Sequence, residues 1–258
     1  MRVVLLSRFP RADVPAWKRR VASAVHEMGH EQMVLYSRCS VLDHARAGLE
    51  EYGLGMVGSY LKARTKSQEE TPGESASEGT LAAWAEARGI PVARHDRLGD
   101  AEAIAALESF DPDLILLVGS DIVPASVLAT PRIGTLNCHY GLLPRYRGMN
   151  VAEWAIYQDD PVGVTIHWVD PGIDTGAIAA REEIPLEPGD DLDAVRAKQQ
   201  EKSAEMLVGV VRAVAEGDAQ SLPQQPGEGR QYYRMHPVFR EAVERKLREG
   251  RYRPAAPA

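Results

Sequence analysis

The chain has 258 residues, 44% of them hydrophobic and 26% charged, with 30 basic and 37 acidic side chains and a formal net charge of −7. This is material for one large domain with a real core, and it opposes the clustered positive charge that a nucleic-acid footprint needs. No apolar run approaches the roughly 20 residues that cross a bilayer, and two cysteines, Cys39 and Cys138, make no disulfide framework, so a reducing cytoplasm is the expected compartment, with neither membrane nor nucleic acid as partner.

Residues 3–6 form an apolar run too short for a signal peptide and read as a first strand. Residues 15–28 place Val21, Ala24, Val25 and Met28 at helical spacing, with Pro15 suited to the first turn and Gly29 to the position just past the last. Residues 30–36 read as a second strand, so the opening is β-α-β. Residues 41–63 suggest one or two short helices, and residues 65–79 are a polar loop with Pro and Gly and almost no apolar content. A helix over 80–88, a short strand over 90–93 and a helix over 100–110 follow. Residues 113–118 (DLILLV) have the near-continuous apolar character of a strand buried on both faces. Beyond it the pattern predicts a short helix over 124–128, strands over 133–139, 162–169 and 177–184, and a long helix over 191–216. Alternating helix and strand imply an α/β fold, an open, mostly parallel twisted sheet. The catalytic domain is expected over residues 1–190, and residues 191–258, ending in a basic helix over 237–249, as a small C-terminal appendage.

Residues 26–30, HEMGH, match the HExxH arrangement of zinc hydrolases. Two histidines four apart share a face only on a continuous helix, and Gly29 sits where this helix is expected to stop. His30 then opens the next strand, no third ligand pattern follows, and no metal is expected.

The chemistry concentrates in two stretches. In residues 134–148, GTLNCHYGLLPRYRG, Asn137 and His139 point to one side of a strand, at the carboxyl edge where open α/β sheets bind ligands. In residues 163–177, GVTIHWVDPGIDTGA, Thr165 and His167 share a strand face and Asp174 follows in a Gly-bounded loop. Taken singly, Asn137 suits a turn, Asp174 a cap and His139 a structural hydrogen bond. Together they supply an amide donor, two imidazoles and a carboxylate. Cys138 reads as a small packing residue, since no activating pattern surrounds it.

That joint pattern resembles the formyltransferases that use 10-formyltetrahydrofolate, from about residue 113 to 188 and more weakly back to residue 1. LVGSDIVPASVLATPRIGTLNCHYGLLPRYRG resembles their donor-binding strand, short helix and catalytic strand, and DPGIDTG their aspartate loop. The resemblance implies a Rossmann-like formyltransferase fold, catalytic roles for Asn137, His139 and Asp174, and 10-formyltetrahydrofolate as co-substrate. It implies that backbone groups of Ser120, Asp121, Ile122 and Val123, and of the loop carrying Val169, Asp170 and Gly172, hold the pterin ring. Asp121 departs from the apolar or basic residue usual in the family, and His167 is similar to the histidine of the purine-pathway and sugar enzymes.

An amine that attacks the formyl carbon gives an oxyanion and a positively charged nitrogen. Asn137 and a protonated His139 are expected to bind the oxyanion, with Asp174 raising the His139 pKa and relaying protons. The first βα turn, SRFPRADVPAWKRR, lacks the glycines that wrap a phosphate, so Arg8 and Arg11, with Lys18 and Arg19, could grip an anionic acceptor by side chains. Tyr140 and His167 are expected near the acceptor, and Trp17, Tyr146 and Trp168 line its pocket or pack in the core. The expected acceptor is a small-molecule amine, an amino sugar or biosynthetic intermediate. Other acceptors in the family are glycinamide ribonucleotide, methionyl-tRNA and, in the hydrolases, water. A catalytically silent folate-binding module is the non-enzymatic alternative, and a homodimer is compatible with all of these.

Overall fold

Strands that bury both faces need no polar alternation, and the first and fourth strands show the consequence. In the computed structural model, which describes residues 1–9, 16–38, 79–120, 122–225 and 227–254, β1 is Arg2–Phe9 and β4 is Leu114–Leu117. Val3, Leu5, Leu114 and Leu116 enter one core cluster, while Val4, Leu6, Ile115 and Leu117 enter a second on the opposite face. Each such side chain contributes about 1.5–3 kcal/mol on burial, so these two strands anchor the sheet.

Between them lie α1 (Ala16–Glu27), β2 (Glu31–Arg38), α2 (Leu81–Glu86), β3 (Val92–His95) and α3 (Ala101–Phe110). After β4 come α4 (Ala125–Leu128), β5 (Gly134–His139), β6 (Tyr146–Gly148), α5 (Val151–Tyr157), β7 (Gly163–Trp168) and β8 (Ile178–Glu183). The described chain closes with α6 (Leu192–Glu216), β9 (Arg230–Tyr232) and α7 (Pro237–Arg248). The seven-stranded sheet has the order β3-β2-β1-β4-β5-β7-β8. The first five strands are parallel, and β7 is antiparallel to both neighbours. This is the expected open, mostly parallel sheet, with α1, α2 and α6 on one face and α3 and α4 on the other.

The third strand begins two residues later than its apolar pattern suggests. Ile90 is buried ahead of it, and Pro91, with no N–H to give, contributes only a carbonyl, which accepts from Val34 N at 2.9 Å. Helix α6, expected to open the appendage, lies on the main sheet: Ala204, Met206, Leu207, Val210, Val211 and Val214 join the first cluster. Asp191 caps its start by accepting from the Asp193 and Ala194 N–H groups, and Gly217, at φ +77°, ends it. A third cluster gathers Tyr146, Val151, Ile156, Val195, Met235, Val243 and Leu247, joining β6, α5 and α7 beside the sheet. Short pairing between β6 and β9, which sequence pattern did not suggest, ties the C-terminal segment to that lobe.

Helix α1 ends at Glu27, and Gly29 takes the left-handed φ of +77° that turns the chain. His26 packs edge-on against Trp84, whereas His30 Nδ1 lies 3.4 Å from the terminal amine of Met1. The two histidines of HEMGH therefore part company. Among the described residues, no group of three or more His, Cys, Asp or Glu could hold a metal ion, and no helix is long and apolar enough to cross a membrane. Cys39, Arg11, Asp121, residues 41–63 and the loop 65–78 lie outside the described residues.

Candidate active site

The antiparallel register of β5 and β7 builds the site. Asn137 pairs with His167 and His139 with Thr165, so all four side chains project from one face. The β7–β8 register shifts between Ile166 and His167, an irregularity of the kind that re-aims a side chain. The loop after β7 then returns Asp174 over the two imidazoles.

Asp174 stands between the two rings. Its Oδ2 is 3.4 Å from His139 Nδ1 and its Oδ1 is 3.4 Å from His167 Nε2. Gly148 N donates to Asp174 Oδ2 at 2.8 Å. Asn137 Nδ2 lies 3.1 Å from His167 Nε2. The side chains of His139 and His167 are 6% and 2% exposed and that of Asp174 is 15% exposed, so the cluster is shielded from water but reaches the surface through the carboxylate.

Two backbone carbonyls fix the rings. Tyr146 O accepts from His139 Nε2 at 2.7 Å, and Trp168 O accepts from His167 Nδ1 at 2.9 Å. With its Nε2 committed as a donor, a neutral His139 carries its lone pair on Nδ1, facing Asp174.

The aspartate loop is held by close backbone approach. Asp170 Oδ1 accepts from Gly172 N at 3.1 Å and from Thr175 Oγ1 at 2.6 Å. A Cβ at Gly176 would lie 1.8 Å from Trp168 O, so only glycine fits there. Asp174 itself adopts φ +53°, unusual for a residue with a side chain.

Burial and charge act in opposite senses on the pair. At Asp174, burial pushes the carboxyl pKa upward, but the His167 hydrogen bond, the His139 charge and the Gly148 N–H together bring it down to about 2. At His139, burial is the dominant influence and lowers the pKa; Asp174 and the Tyr146 carbonyl raise it, His167 lowers it, and the net direction is down. The carboxylate beside His139 was expected to leave that imidazole protonated. The structure corrects this: desolvation outweighs the neighbouring charge, and His139 stands as the neutral ring.

Other expected site residues fall in different places. Val123 and Val169 both pack against the second core cluster, which brings the 122–123 and 169–174 stretches to the same side of the sheet; Ile122 is 82% exposed. Ser120 lies just beyond β4, at the same edge. Arg8 sits near the end of β1, separated from β5 by β4. Tyr140 turns away from the cluster: its ring packs on the first core cluster beneath the Arg196 guanidinium, 4.8 Å from its centroid. The reason is strand parity, since Tyr140 is one residue out of phase with His139. Trp17 and Tyr146 are core residues, and Tyr146 stacks on Tyr232 with centroids 5.0 Å apart. Cys138 shares the Tyr140 face, where burial pushes its thiol up to about 12, far from a nucleophile's range.

A concavity of about 680 Å³ between α1 and α2, lined by Arg19, Arg20, Trp84 and Arg88 among others, contains none of the clustered residues. The site is therefore placed by its chemistry rather than by the depth of a pocket.

A profile described as formyl transferase matches residues 60–211, which include all of Asn137, His139, His167 and Asp174. The chain belongs to the formyl transferase family. It is 37% identical over 143 residues to a methionyl-tRNA formyltransferase of Synechococcus sp. (strain JA-3-3Ab), an alignment that takes in 54% of this chain and 44% of that protein. The chain thus spans about half the length of the curated relatives it matches. Among solved structures, a sugar N-formyltransferase from Shewanella sp. superposes with a TM-score of 0.60 at 14% identity, over 96% of this chain and 87% of that one. The glycinamide ribonucleotide transformylase 1 of Symbiobacterium toebii gives a TM-score of 0.60 at 18% identity, over 86% and 94%. These likenesses establish the formyltransferase fold.

Within that fold, sequence reasoning missed three contributors: the Tyr146 carbonyl, the Gly148 N–H and Gln224, whose Nε2 donates to Asp174 O at 2.9 Å. The first two are main-chain groups of YRG, a string already singled out in the sequence. The third lies some 50 residues from the loop it touches, and nothing in its local pattern marks it.

Proposed function

We propose that this formyl transferase family member moves a formyl group from 10-formyltetrahydrofolate to the amine of a small molecule, with an amino sugar or biosynthetic intermediate as the acceptor class. The observation that carries this reading is Asp174 set between His139 Nδ1 and His167 Nε2, with the Asn137 amide alongside.

In the proposed reaction the acceptor nitrogen attacks the formyl carbon. The Asn137 N–H groups bind the oxygen as it becomes an oxyanion, help of a kind worth about 100- to 1000-fold. The new C–N bond leaves a positive charge on the attacking nitrogen, which must lose one proton before the bond to the folate nitrogen breaks. His139, neutral and with its lone pair on Nδ1, is the base for that proton. Asp174, held ionised, stabilises the imidazolium that forms, and the same proton can pass to the departing folate nitrogen. Proton count is preserved: one leaves the amine, one arrives on the folate. General acid/base help of this kind amounts to roughly 100- to 10,000-fold. Asp174 is a poor final resting place for the proton because its pKa is brought down to about 2.

Backbone groups of residues 120–123 and 169–174, with Asp170 and Gly172 shaping the second loop, would hold the pterin. Arg8, Arg11 and His167 remain the candidates on the acceptor side. Residues 1–190 together with α6, which packs on the same sheet, would carry the catalytic unit, and the segment beyond α6 an accessory lobe.

A small acceptor is favoured over tRNA on charge. The chain carries a net −7, and in the basic helix α7 Lys246 is already engaged, with Nζ on Ile156 O at 3.0 Å, Tyr157 O at 3.1 Å and Asp159 Oδ2 at 2.6 Å. The test is a screen of amino sugars, amino-acid-derived amines, glycinamide ribonucleotide and initiator methionyl-tRNA with 10-formyltetrahydrofolate, read by mass spectrometry for a gain of one formyl group. Formylation of a small amine alone is expected. Transfer to tRNA alone would reverse the acceptor assignment, and consumption of the donor with no acceptor would point to hydrolysis. Donor binding without any formyl loss would leave only a folate-binding module.

A further inference from the structure

The segment that follows α6 passes the site before it reaches β9, and one of its side chains is committed to the site's own backbone. Leu222 pairs with Ile178 through two hydrogen bonds of 2.9 and 2.8 Å, and farther on β9 pairs with β6. Between these anchors Gln224 is half-buried. Its Nε2 donates to Asp174 O at 2.9 Å and to Gly176 O at 2.7 Å. Its Oε1 accepts from Arg147 Nε at 3.0 Å and from Arg147 Nη2 at 2.7 Å.

A primary amide has two N–H donors and an oxygen with two lone pairs, and all four are used here. The orientation is thereby fixed. Turned over, the amide would face its oxygen to two carbonyls and its NH₂ to a guanidinium. Arg147 is the middle residue of β6. On one side of it Tyr146 O holds His139 Nε2, and on the other Gly148 N holds Asp174 Oδ2. Gln224 thus couples the strip of backbone that fixes the imidazole to the loop that carries the carboxylate. Asp174 adopts a left-handed φ of +53°, and the Gln224 bonds to the Asp174 and Gly176 carbonyls tie down the backbone on either side of Thr175.

We propose that Gln224 is a positioning residue for the active site, acting through the main chain of the 174–176 loop to hold the Asp174 carboxylate in register with His139 and His167. Its consequence for turnover rests on the formyl-transfer reading above; its consequence for geometry does not. The competing role is that Gln224 simply fastens the C-terminal segment to Arg147.

Two substitutions separate these roles. Gln224→Glu keeps the Arg147 contact and adds charge to it, but sets an oxygen against the Asp174 and Gly176 carbonyls. Gln224→Met keeps the length and removes both sets of bonds. The substrate-free protein is read by NMR, following the titration of the Asp174 carboxyl and the amide proton of Gly148, and kcat is then measured as a function of pH with the best amine from the screen. In both variants Asp174 should titrate at higher pH than in the wild type, the Gly148 amide signal should move upfield, and kcat should fall about 10- to 100-fold, as misplacement of a reacting group does. Gln224→Glu should melt within a few degrees of the wild type. Wild-type titration and an unmoved Gly148 signal in whichever variants fold would overturn the positioning role, whatever happens to kcat. A wild-type protein that formylates nothing would sink the proposed activity, and the two NMR signals would still decide whether Gln224 positions Asp174.

Discussion

Asn137 Nδ2 and His167 Nε2 meet at 3.1 Å across the β5–β7 pairing. In the substrate-free protein this contact occupies one of the two N–H donors of the amide, and the other remains for an oxyanion. The imidazole contact fixes the direction of the amide, so the second donor is held ready before the transition state forms.

Replacement of Asn137 by alanine should therefore lower kcat by about 100- to 1000-fold, the worth of one oxyanion donor. Steady-state kinetics at saturating donor tests this. A loss under about threefold, far short of that worth, would mean that some other group carries the oxyanion.

Asp174→Asn should act in two ways. It removes the charge that stabilises a protonated His139, so kcat should fall by about 100-fold or more. Asp174 is also an influence that raises the His139 pKa, and without it that pKa should drop further. The acid limb of the kcat–pH profile, already below 6.5 in the wild type, should move to still lower pH in the variant. Movement to higher pH would contradict a neutral His139 as the working base.

Acid should destabilise the fold in two ranges. The His139 pKa lies below its ordinary 6.5 in the folded protein, so its contribution is full above 6.5 and fades as pH falls through the lowered value. Asp174 drops from 3.8 to about 2, so its contribution is full above 3.8 and is lost between 3.8 and 2. The second loss amounts to about 2 kcal/mol. Urea midpoints measured across the acid range should show both declines in the wild type, and Asp174→Asn should lack the lower one. An unaltered lower decline in that variant would assign it to other carboxylates.

Gly176→Ala forces a methyl group toward a carbonyl oxygen that its Cβ would approach to 1.8 Å. The loop must shift, at a cost of about 1–3 kcal/mol, and Asp174 shifts with it. Differential scanning calorimetry should show a lower Tm, and turnover should fall by more than the stability loss explains. Full activity at permissive temperature would show that the loop tolerates the displacement.

The sequence by itself determined the sheet and which of the candidate groups share a strand face. Apolar runs such as 113–118 can only be buried on both faces, and alternation alone puts Asn137 with His139 and Thr165 with His167. Only the tertiary structure decided the rest. It set the antiparallel β5–β7 register that places Asn137 against His167, and it brought Arg196 of α6 over the Tyr140 ring. It also determined that burial, not the adjacent carboxylate, governs His139. Long helix α6 joined the main core, and Gln224 reached Asp174 across 50 positions. The physical division is one of range. Periodicity and backbone preference act over a few residues and are written locally, whereas desolvation, register and main-chain hydrogen bonds from distant segments exist only once the chain has closed on itself.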